Sequence, residues 1–541
     1  MNQAASNAMP GQHAIARAQG APSQWAAGHL PPAFASQIAT RPLVFDDLTI
    51  TVPAPDATQM QALAAHVARA TREVLRPLPV SALIGHIDRA VARLLDPRDP
   101  WRQCADALLP RVTGYDAQMV HVALTGYLQQ FRAPQLHRFV AEDFANPKVL
   151  DEFQPAAKGG AVRALGPTLL AHSWAGNVPG LPLWSLVCGL LVKAGGIGKL
   201  PSAEPVFASI FAQLLAEVYP PLTDALAVVW WKGGEAEPAA SLYRAADCVL
   251  AYGGNEAIAQ VRSQVPATTR FLPYGHKLGV ALVGREVLDR QRGPLLARAA
   301  AQDVTRYEQQ GCYSPHVIYV ERGGPMDPRG FAQHLAAELA AQARQHPRRA
   351  LGLDEAAAVG SWRQAAEVRS LLEAGHELLG DASALAPGLA SARSALGPAT
   401  SAAPDEAGPT AFATAVSAPA SWFVAYANQP LALAPSAGWR CVQVVAVDAL
   451  EEALALLEPH ALFLQTAAVA VAPASLYPLA EHLAQAGITR VTALGRMTAP
   501  EAGWHHDGGF NLASLVRMVD LEMAAERAAD RLAPYAQEDA P

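Results

Sequence analysis

The stretch LGPTLLAHSWAGNVPGLPLWSLVCGLLVKAGGIGKLPSAEP (165–205) contains the organising pattern of the chain in one copy. A short apolar run (165–176) breaks into a Gly/Pro turn and is followed by an apolar helical segment (181–193). GGIGKLP (195–201) then returns to an extended pattern ahead of a helix candidate at 203–217. Run, turn, helix, run at this spacing predicts a crossover that brings the second strand back parallel to the first. The pattern repeats: ALAVVWWKG (225–233), DCVLAYGG (247–254), RFLPYG (270–275) and LGVALVG (278–284) alternate with helix candidates at 239–245 and 255–265. Runs so evenly apolar belong to strands covered on both faces. The expected fold class is α/β, built on a mainly parallel sheet.

Upstream, RPLVFDDLTITVPAP (41–55) alternates like an exposed strand, and helical spacing follows at 60–75, 80–95, 101–109 and 117–131. Residues 1–42 are Ala/Gln/Pro-rich and lack the basic start and apolar core of a secretion signal, so they are read as a disordered lead-in. Downstream, a helix at 286–309 leads through a tight turn into GCYSPHVIYVERGG (311–324), and a helix at 328–345 follows. A second α/β unit is expected there. Residues 382–420, rich in Ala, Pro, Ser and Gly, read as a flexible insertion, after which CVQVVAV (441–447), a helix at 450–457 and ALFLQTAAVAV (461–471) resume the pattern. The expected domains are 1–42 lead-in, 43–310 N-terminal helices with a Rossmann-like nucleotide-binding domain, 311–495 catalytic domain, and 496–541 a C-terminal segment packing back on the core or on a partner subunit.

The 541 residues carry 41 Lys and Arg against 48 Asp and Glu, a net charge of −7, with 51% apolar residues. That composition excludes a globally disordered chain, and the acidic balance argues against a general binder of nucleic acid or anionic membranes. Five cysteines without a CxxC pair give neither a disulfide framework nor a thiolate zinc site, so a reducing cytoplasmic setting is expected. The most apolar stretches, 178–192 and 461–480, are too short or too interrupted to span a bilayer.

Cys312 follows a long helix and precedes a β run, which puts its thiol on a loop, where a thiolate can act as nucleophile. The alternative is a buried Cys acting as a small hydrophobe, the reading given to Cys104, Cys188, Cys248 and Cys441. Asn177, in the turn after the first run, is either an oxyanion donor or a cap of the following helix. Lys199 closes a strand at the end where doubly wound sheets bind ligands, and Gly253-Gly254 open a helix whose N–H groups suit a phosphate. No GxGxxG or P-loop pattern occurs, and HHDG (505–508) lacks the companion ligands of a metal site. Trp230 and Trp231 read as packing residues.

Taken in order, AGNVP with LWSLVCGLLVK, GKLPSAEP, LAYGGNEAI, PYGHK, QQGCYSPHVIYVE, RVTALGRMTAPEAGWHHDG and NLASLVRMVDLE resemble the LuxC-type acyl-CoA reductases. These fatty acid reductases of the aldehyde dehydrogenase superfamily supply long-chain aldehyde to bacterial luciferase. The resemblance covers roughly residues 165–522. It implies a Rossmann-like nucleotide-binding domain, a catalytic domain with Cys312 as nucleophile and a small oligomerisation extension, hence a homo-oligomer. It also implies Asn177 as the oxyanion-hole amide, Lys199 on the adenosine ribose or its phosphate, and Gly253-Gly254 over the pyrophosphate. The family is NADPH-linked, and Ser202 stands where NAD-preferring relatives carry a Glu.

Hydrolytic aldehyde dehydrogenases have Glu-Leu-Gly-Gly-Lys where this chain has Pro273-Tyr274-Gly275-His276-Lys277, so the Glu that activates the deacylating water is missing. A second family Glu, on the nicotinamide ribose, has no counterpart near 436–440. The expected activity is therefore NADPH-dependent reduction of an acyl-CoA or acyl-protein thioester to the aldehyde, with acyltransferase and synthetase subunits as partners. His276 is the candidate proton carrier. His316, about 13 Å from Cys312 along an extended strand, is the second choice. The competing readings are an NAD(P)-dependent aldehyde dehydrogenase and a non-catalytic subunit of a reductase complex.

Overall fold

The computed structural model describes residues 22–380 and 421–532. The insertion expected at 382–420, the start of the lead-in and residues 533–541 lie outside the described residues. The chain divides into two compact units, Met1–Lys277 with Ala499–Pro541, and Leu278–Thr498. The division thus falls at Lys277 rather than at 310, because LGVALVG begins the second sheet instead of ending the first.

The first unit starts inside the expected lead-in. Strand β1 (Gln24–Ala26) pairs parallel with β3 (Leu48–Pro53), which pairs antiparallel with β2 (Thr40–Phe45). Trp25 is buried, and that burial anchors a three-residue strand with no pattern of its own. The stretch read as one exposed strand is thus a hairpin. Asp46 takes a left-handed φ of 47° at its turn, and Leu48, Ile50 and Val52 all point into the core.

Helices α1 (Ala57–Ala70), α2 (Val80–Leu95), α3 (Pro100–Thr113), α4 (Ala117–Leu128) and α5 (Ala133–Asp143) follow. A capping box between Asp56 and Gln59 starts α1. A small antiparallel sheet joins β4 (Gln154–Pro155), β5 (Ala161–Leu165) and the C-terminal β18 (Arg517–Leu521). The segment leading to β18 is tied to α5 where Asp143 accepts from the N–H groups of Leu512 and Ala513.

The main sheet of this unit holds β6 (Leu169–Ser173), β7 (Gly195–Lys199), β8 (Leu226–Val229), β9 (Cys248–Tyr252) and β10 (Arg270–Tyr274). All are parallel, in the order β10–β9–β6–β7–β8. The crossovers run through α6 (Leu181–Leu191), α7 (Phe207–Val218), α8 (Ala236–Ala245) and α9 (Asn255–Gln264). Leu169, Ala171, Ile197, Ala227, Val229 and Val249 pack against Met60, Leu63 and Val67 of α1 and Leu242 of α8. Gly198 is glycine because the Trp174 ring lies on it: a Cβ there would sit 1.8 Å from the ring. From β6 the chain winds outward to β8, then returns to place β9 on the other side of β6. The switch point therefore lies between β6 and β9.

The second unit is built on a seven-stranded sheet, β13–β14–β15–β12–β11–β16–β17. Its strands are β11 (Leu278–Val283), β12 (Pro315–Glu321), β13 (His376–Gly380), β14 (Phe423–Ala427), β15 (Cys441–Val447), β16 (Leu464–Ala470) and β17 (Arg490–Ala493). All neighbours are parallel except the edge strand β13. Side chains alternate between two cores. Ala281, Val283, Ile318 and Val320 face α10 (Arg292–Thr305) and α11 (Pro328–Gln345), whereas Val280, Leu282, Val317 and Tyr319 face α13 (Leu450–Leu457) and α14 (Pro473–Gln485). Helix α12 (Leu353–Leu372) precedes β13 and buries only Val359, and α15 (Met523–Leu532) follows β18 in the first unit.

Candidate active site

In the first unit the sequence candidates gather at the carboxyl ends of the parallel strands. The loop after β6 carries Asn177, whose side is exposed and whose carbonyl accepts from the Tyr115 hydroxyl at 2.8 Å. Gly254 is the exposed N-cap of α9, directly after β9, so Asn177 and Gly253-Gly254 flank the switch point.

Lys199 ends β7. Its Nζ lies 5.6 Å from the centre of the Trp231 ring, and burial pulls its pKa below the ordinary lysine value. Ser202 is exposed and its hydroxyl accepts from Trp230 Nε1 at 3.1 Å. The two tryptophans read as packing residues thus also border the cation and the hydroxyl. Glu204, the acidic residue of the same loop, is turned inward. It is 1% exposed, its Oε1 accepts from the N–H groups of Val206 and Phe207 at 2.8 Å each, and burial raises its carboxyl to about 7.

His276 is exposed two residues past β10, with its N–H donating to Asn255 Oδ1 at 3.3 Å, and partial desolvation lowers its imidazole. Pro273 lies within β10 and is exposed. Among the described residues no three His, Cys, Asp or Glu side chains converge as metal ligands. His506 of the HHDG stretch instead stacks on Tyr274, with ring centres 4.4 Å apart, and lies 4.7 Å from Trp504.

Cys312 stands in the second unit, on the loop that enters β12, at the amino edge of the seven-stranded sheet. It is half-buried. Cys188, Cys248 and Cys441 are buried, and burial pushes the thiols of Cys104, Cys248 and Cys441 up to about 12 and Cys188 well above its usual value. β11 lies between β12 and β16, and Gly279 of β11 lets the Cys312 loop cross it. A Cβ at 279 would sit 2.5 Å from Ser314 O and 2.7 Å from Tyr313 O. Across this gap Gln465, at the start of β16 and fully buried, donates its Nε2 to Cys312 Sγ at 3.5 Å.

Two left-handed corners hold the loop. Tyr307, Glu308 and Gln309 take φ values of 52°, 54° and 62°, and Trp439 and Arg440 take 53° and 65°. None is glycine, so each residue stores of order 1–3 kcal/mol that its surroundings must offset. A bidentate ion pair does part of this: Arg440 Nε and Nη2 donate to Glu308 at 2.7 and 2.9 Å, with both side chains fully buried. Burial pushes the Glu308 carboxyl up, against the pull of Arg440. Gln309 Nε2 donates to the carbonyls of Pro315 and Cys441 at 2.6 and 2.9 Å, tying both sides of the loop to one amide. His316 is buried within β12 and its Nδ1 lies 2.9 Å from Ser436 Oγ. Because Nδ1 also accepts from the Ser436 N–H at 3.2 Å, the neutral ring carries its proton on Nε2. Since β12 begins at Pro315, the path from Cys312 to His316 is not the extended strand assumed from sequence.

Comparison with known proteins agrees with this architecture. The model of the acyl-CoA reductase (LuxC) family matches residues 75–384 and 409–518. The chain belongs to this family. It is 28% identical over 218 residues to a long-chain acyl-protein thioester reductase of Photorhabdus luminescens, covering 39% of this chain and 44% of that one. It is 30% identical over 192 residues to long-chain acyl-protein thioester reductase 2 of Photobacterium leiognathi, covering 34% and 38%. The matched stretches therefore span less than half the length of these relatives. Lactaldehyde dehydrogenase from Escherichia coli shares the fold, with a TM-score of 0.62 over 92% of this chain and 98% of that one, at 16% identity. The fold is thus aldehyde dehydrogenase-like. Among the described residues no helix is long and apolar enough to cross a membrane.

Proposed function

We propose that this chain reduces a long-chain acyl-CoA or acyl-protein thioester to the aldehyde, with NADPH as reductant and Cys312 as the acyl carrier. The observation that carries the reading is the contrast among thiols: Cys312 stands on a held loop with an amide on its sulfur, while the other four are pushed towards the neutral form by burial. In the first half-reaction the Cys312 thiolate adds to the thioester carbonyl. The tetrahedral intermediate expels the CoA or carrier thiolate and leaves an acyl-Cys312 thioester. The Cys312 backbone N–H is assigned to the oxyanion, where preformed donors matter most, and Asn177 keeps the oxyanion-donor role that the family resemblance implies. When bound, the reduced nicotinamide supplies a hydride to the acyl carbon. The resulting thiohemiacetal oxygen takes a proton before the aldehyde leaves, the step for which His276 is the candidate carrier on the family resemblance.

Lys199, Ser202, Gly253 and Gly254 are assigned to the nucleotide. They fit it because the loop offers an ammonium and a hydroxyl, while its one carboxylate, Glu204, is engaged at the start of α7 and does not stand out to repel a 2′-phosphate. A second copy of the chain, together with acyltransferase and synthetase subunits, completes the proposed partners.

The test is to mix the protein with acyl-CoA and look for the acyl group by peptide mass spectrometry. It should appear on Cys312, vanish in Cys312→Ala, and leave NADPH binding in that variant intact. Acylation of Cys312→Ala at the wild-type rate would end the reading.

A further inference from the structure

Gln465 interrupts the apolar run ALFLQTAAVAV, and it is buried at 0% exposure with its amide nitrogen on the Cys312 sulfur. A buried amide in a strand core must be used on both ends to offset its desolvation. Its Oε1 accepts from the Thr466 hydroxyl at 3.3 Å, which leaves Nε2 as the end directed to Sγ. The backbone fixes the rest: β16 is paired parallel to β11, and Thr489 donates both its N–H and its hydroxyl to the Gln465 carbonyl.

From this geometry we infer that Gln465 is a catalytic residue that stabilises the Cys312 sulfur as its thiolate, at the start of the cycle and again at its end. The assignment rests on the reading of Cys312 as acyl carrier. A neutral amide suits the task, since it donates at any working pH and never needs reprotonation. At the start, a donor to sulfur favours the charged form and raises the fraction of nucleophile. At the end, the C–S bond of the thiohemiacetal breaks and its electron pair goes to sulfur. The hydroxyl gives up its proton to solvent, and the freed pair forms the aldehyde carbonyl. Gln465 stabilises the departing thiolate and exchanges no proton itself. The titratable and charged groups on the elements packed around this loop include His316, held by Ser436, the buried Tyr319, the Glu308–Arg440 pair with Arg348 and Arg349 acting on it, and Arg490 of β17, the register partner of Thr466.

The test uses Gln465→Met, which keeps length and bulk while deleting the donor. The rate of Cys312 alkylation by iodoacetamide is followed against pH by peptide mass spectrometry. No acyl group is involved, so this arm stands apart from the substrate reading. The half-point should move up by about one pH unit, with alkylation about tenfold slower below it, as expected for loss of one hydrogen bond to a charged group. Thr466→Val, which frees the amide to turn, should give a smaller shift in the same direction. Should the Met variant not fold, Gln465→Asn withdraws the amide by one methylene and is read the same way. In the second arm, discharge of acyl-Cys312 by NADPH should slow by a similar factor. An unchanged half-point in a folded Met or Asn variant overturns the inference. A shifted half-point in a protein that never acylates would keep the thiolate role and end the acyl-thioester reading instead.

Discussion

At the carboxyl edge of the five-stranded sheet Asn177, Ser202, Gly254 and His276 are exposed. At the amino edge of the seven-stranded sheet the residues around the Cys312 loop, Glu308, Gln309, Ser314 and Arg440, are buried. The first edge is open loops at a topological switch point, suited to a nucleotide that arrives and leaves. The second is fastened by left-handed corners and a desolvated ion pair, suited to a nucleophile that must keep one position. The difference teaches that placement is cheap where a ligand supplies its own contacts and costly where a single sulfur must be aimed.

The fastened edge should break hardest. Arg440→Leu leaves Glu308 buried without its partner beside three strained residues, and a loss of about 3–5 kcal/mol is expected in the urea unfolding of the second unit. Glu308→Leu combined with Arg440→Leu should recover part of that loss, because no lone charge remains. If the single variant unfolds at the wild-type midpoint, the ion pair does not hold the corner.

A pH series separates the units through one carboxyl in each. Glu204 in the first and Asp303 in the second are raised by burial to about 7, from ordinary values of 4.5 and 3.8. A carboxyl that holds its proton more tightly when folded adds stability below its unfolded value, and that stability is lost as pH rises towards the folded value. Stability should therefore fall between about pH 4 and pH 7. Glu204→Gln should flatten the fall in the first unit and Asp303→Asn in the second, read by hydrogen exchange on β7 and on α10 respectively.

A smaller effect is expected from Gly279→Ala. The new methyl meets the Tyr313 and Ser314 carbonyls, backbone atoms that yield only if the Cys312 loop moves, at a cost of about 1–3 kcal/mol. Cys312 alkylation should change together with stability. A stability loss with unchanged Cys312 reactivity would show that the loop adapts without moving the sulfur.

The smallest effect belongs to the open edge. Lys199→Ala should lower kcat/KM for NADPH about tenfold relative to NADH, with stability nearly unchanged, because one charge contact to a phosphate is lost. An equal loss for both cofactors would move Lys199 away from the 2′-phosphate.

The sheets were legible because parallel strands buried on both faces leave apolar runs, and Pro328–Gln345 and Leu450–Leu457 match their sequence spans. LGVALVG was legible as a strand but not as the start of a new unit, since a buried strand reads alike in either sheet. Helix α12 buries only Val359 and so leaves no apolar stripe to find. The corners at 307–309 and 439–440 were invisible for a physical reason: Tyr, Glu, Gln, Trp and Arg carry no preference for positive φ, and the Glu308–Arg440 ion pair that ties the two corners joins residues more than a hundred positions apart. Gln465 looked like a break in an apolar run, and only the crossing of β11 by the Cys312 loop gives it a purpose. The position of Cys312 on a loop ahead of a strand was legible from the sequence, and the structure has it there.

The central claim is an acyl-cysteine that is reduced and not hydrolysed, and its most direct test is the lifetime of acyl-Cys312 in buffer without cofactor. Pro273 is exposed in β10, and on the family resemblance it replaces a water-activating Glu, a loss that costs about 10²–10⁴-fold in the hydrolytic step. The thioester should persist long enough to isolate, discharge to aldehyde on addition of NADPH, and exchange with added thiol. Rapid release of free fatty acid without cofactor would contradict the account and point to His276 as the base of a hydrolytic dehydrogenase.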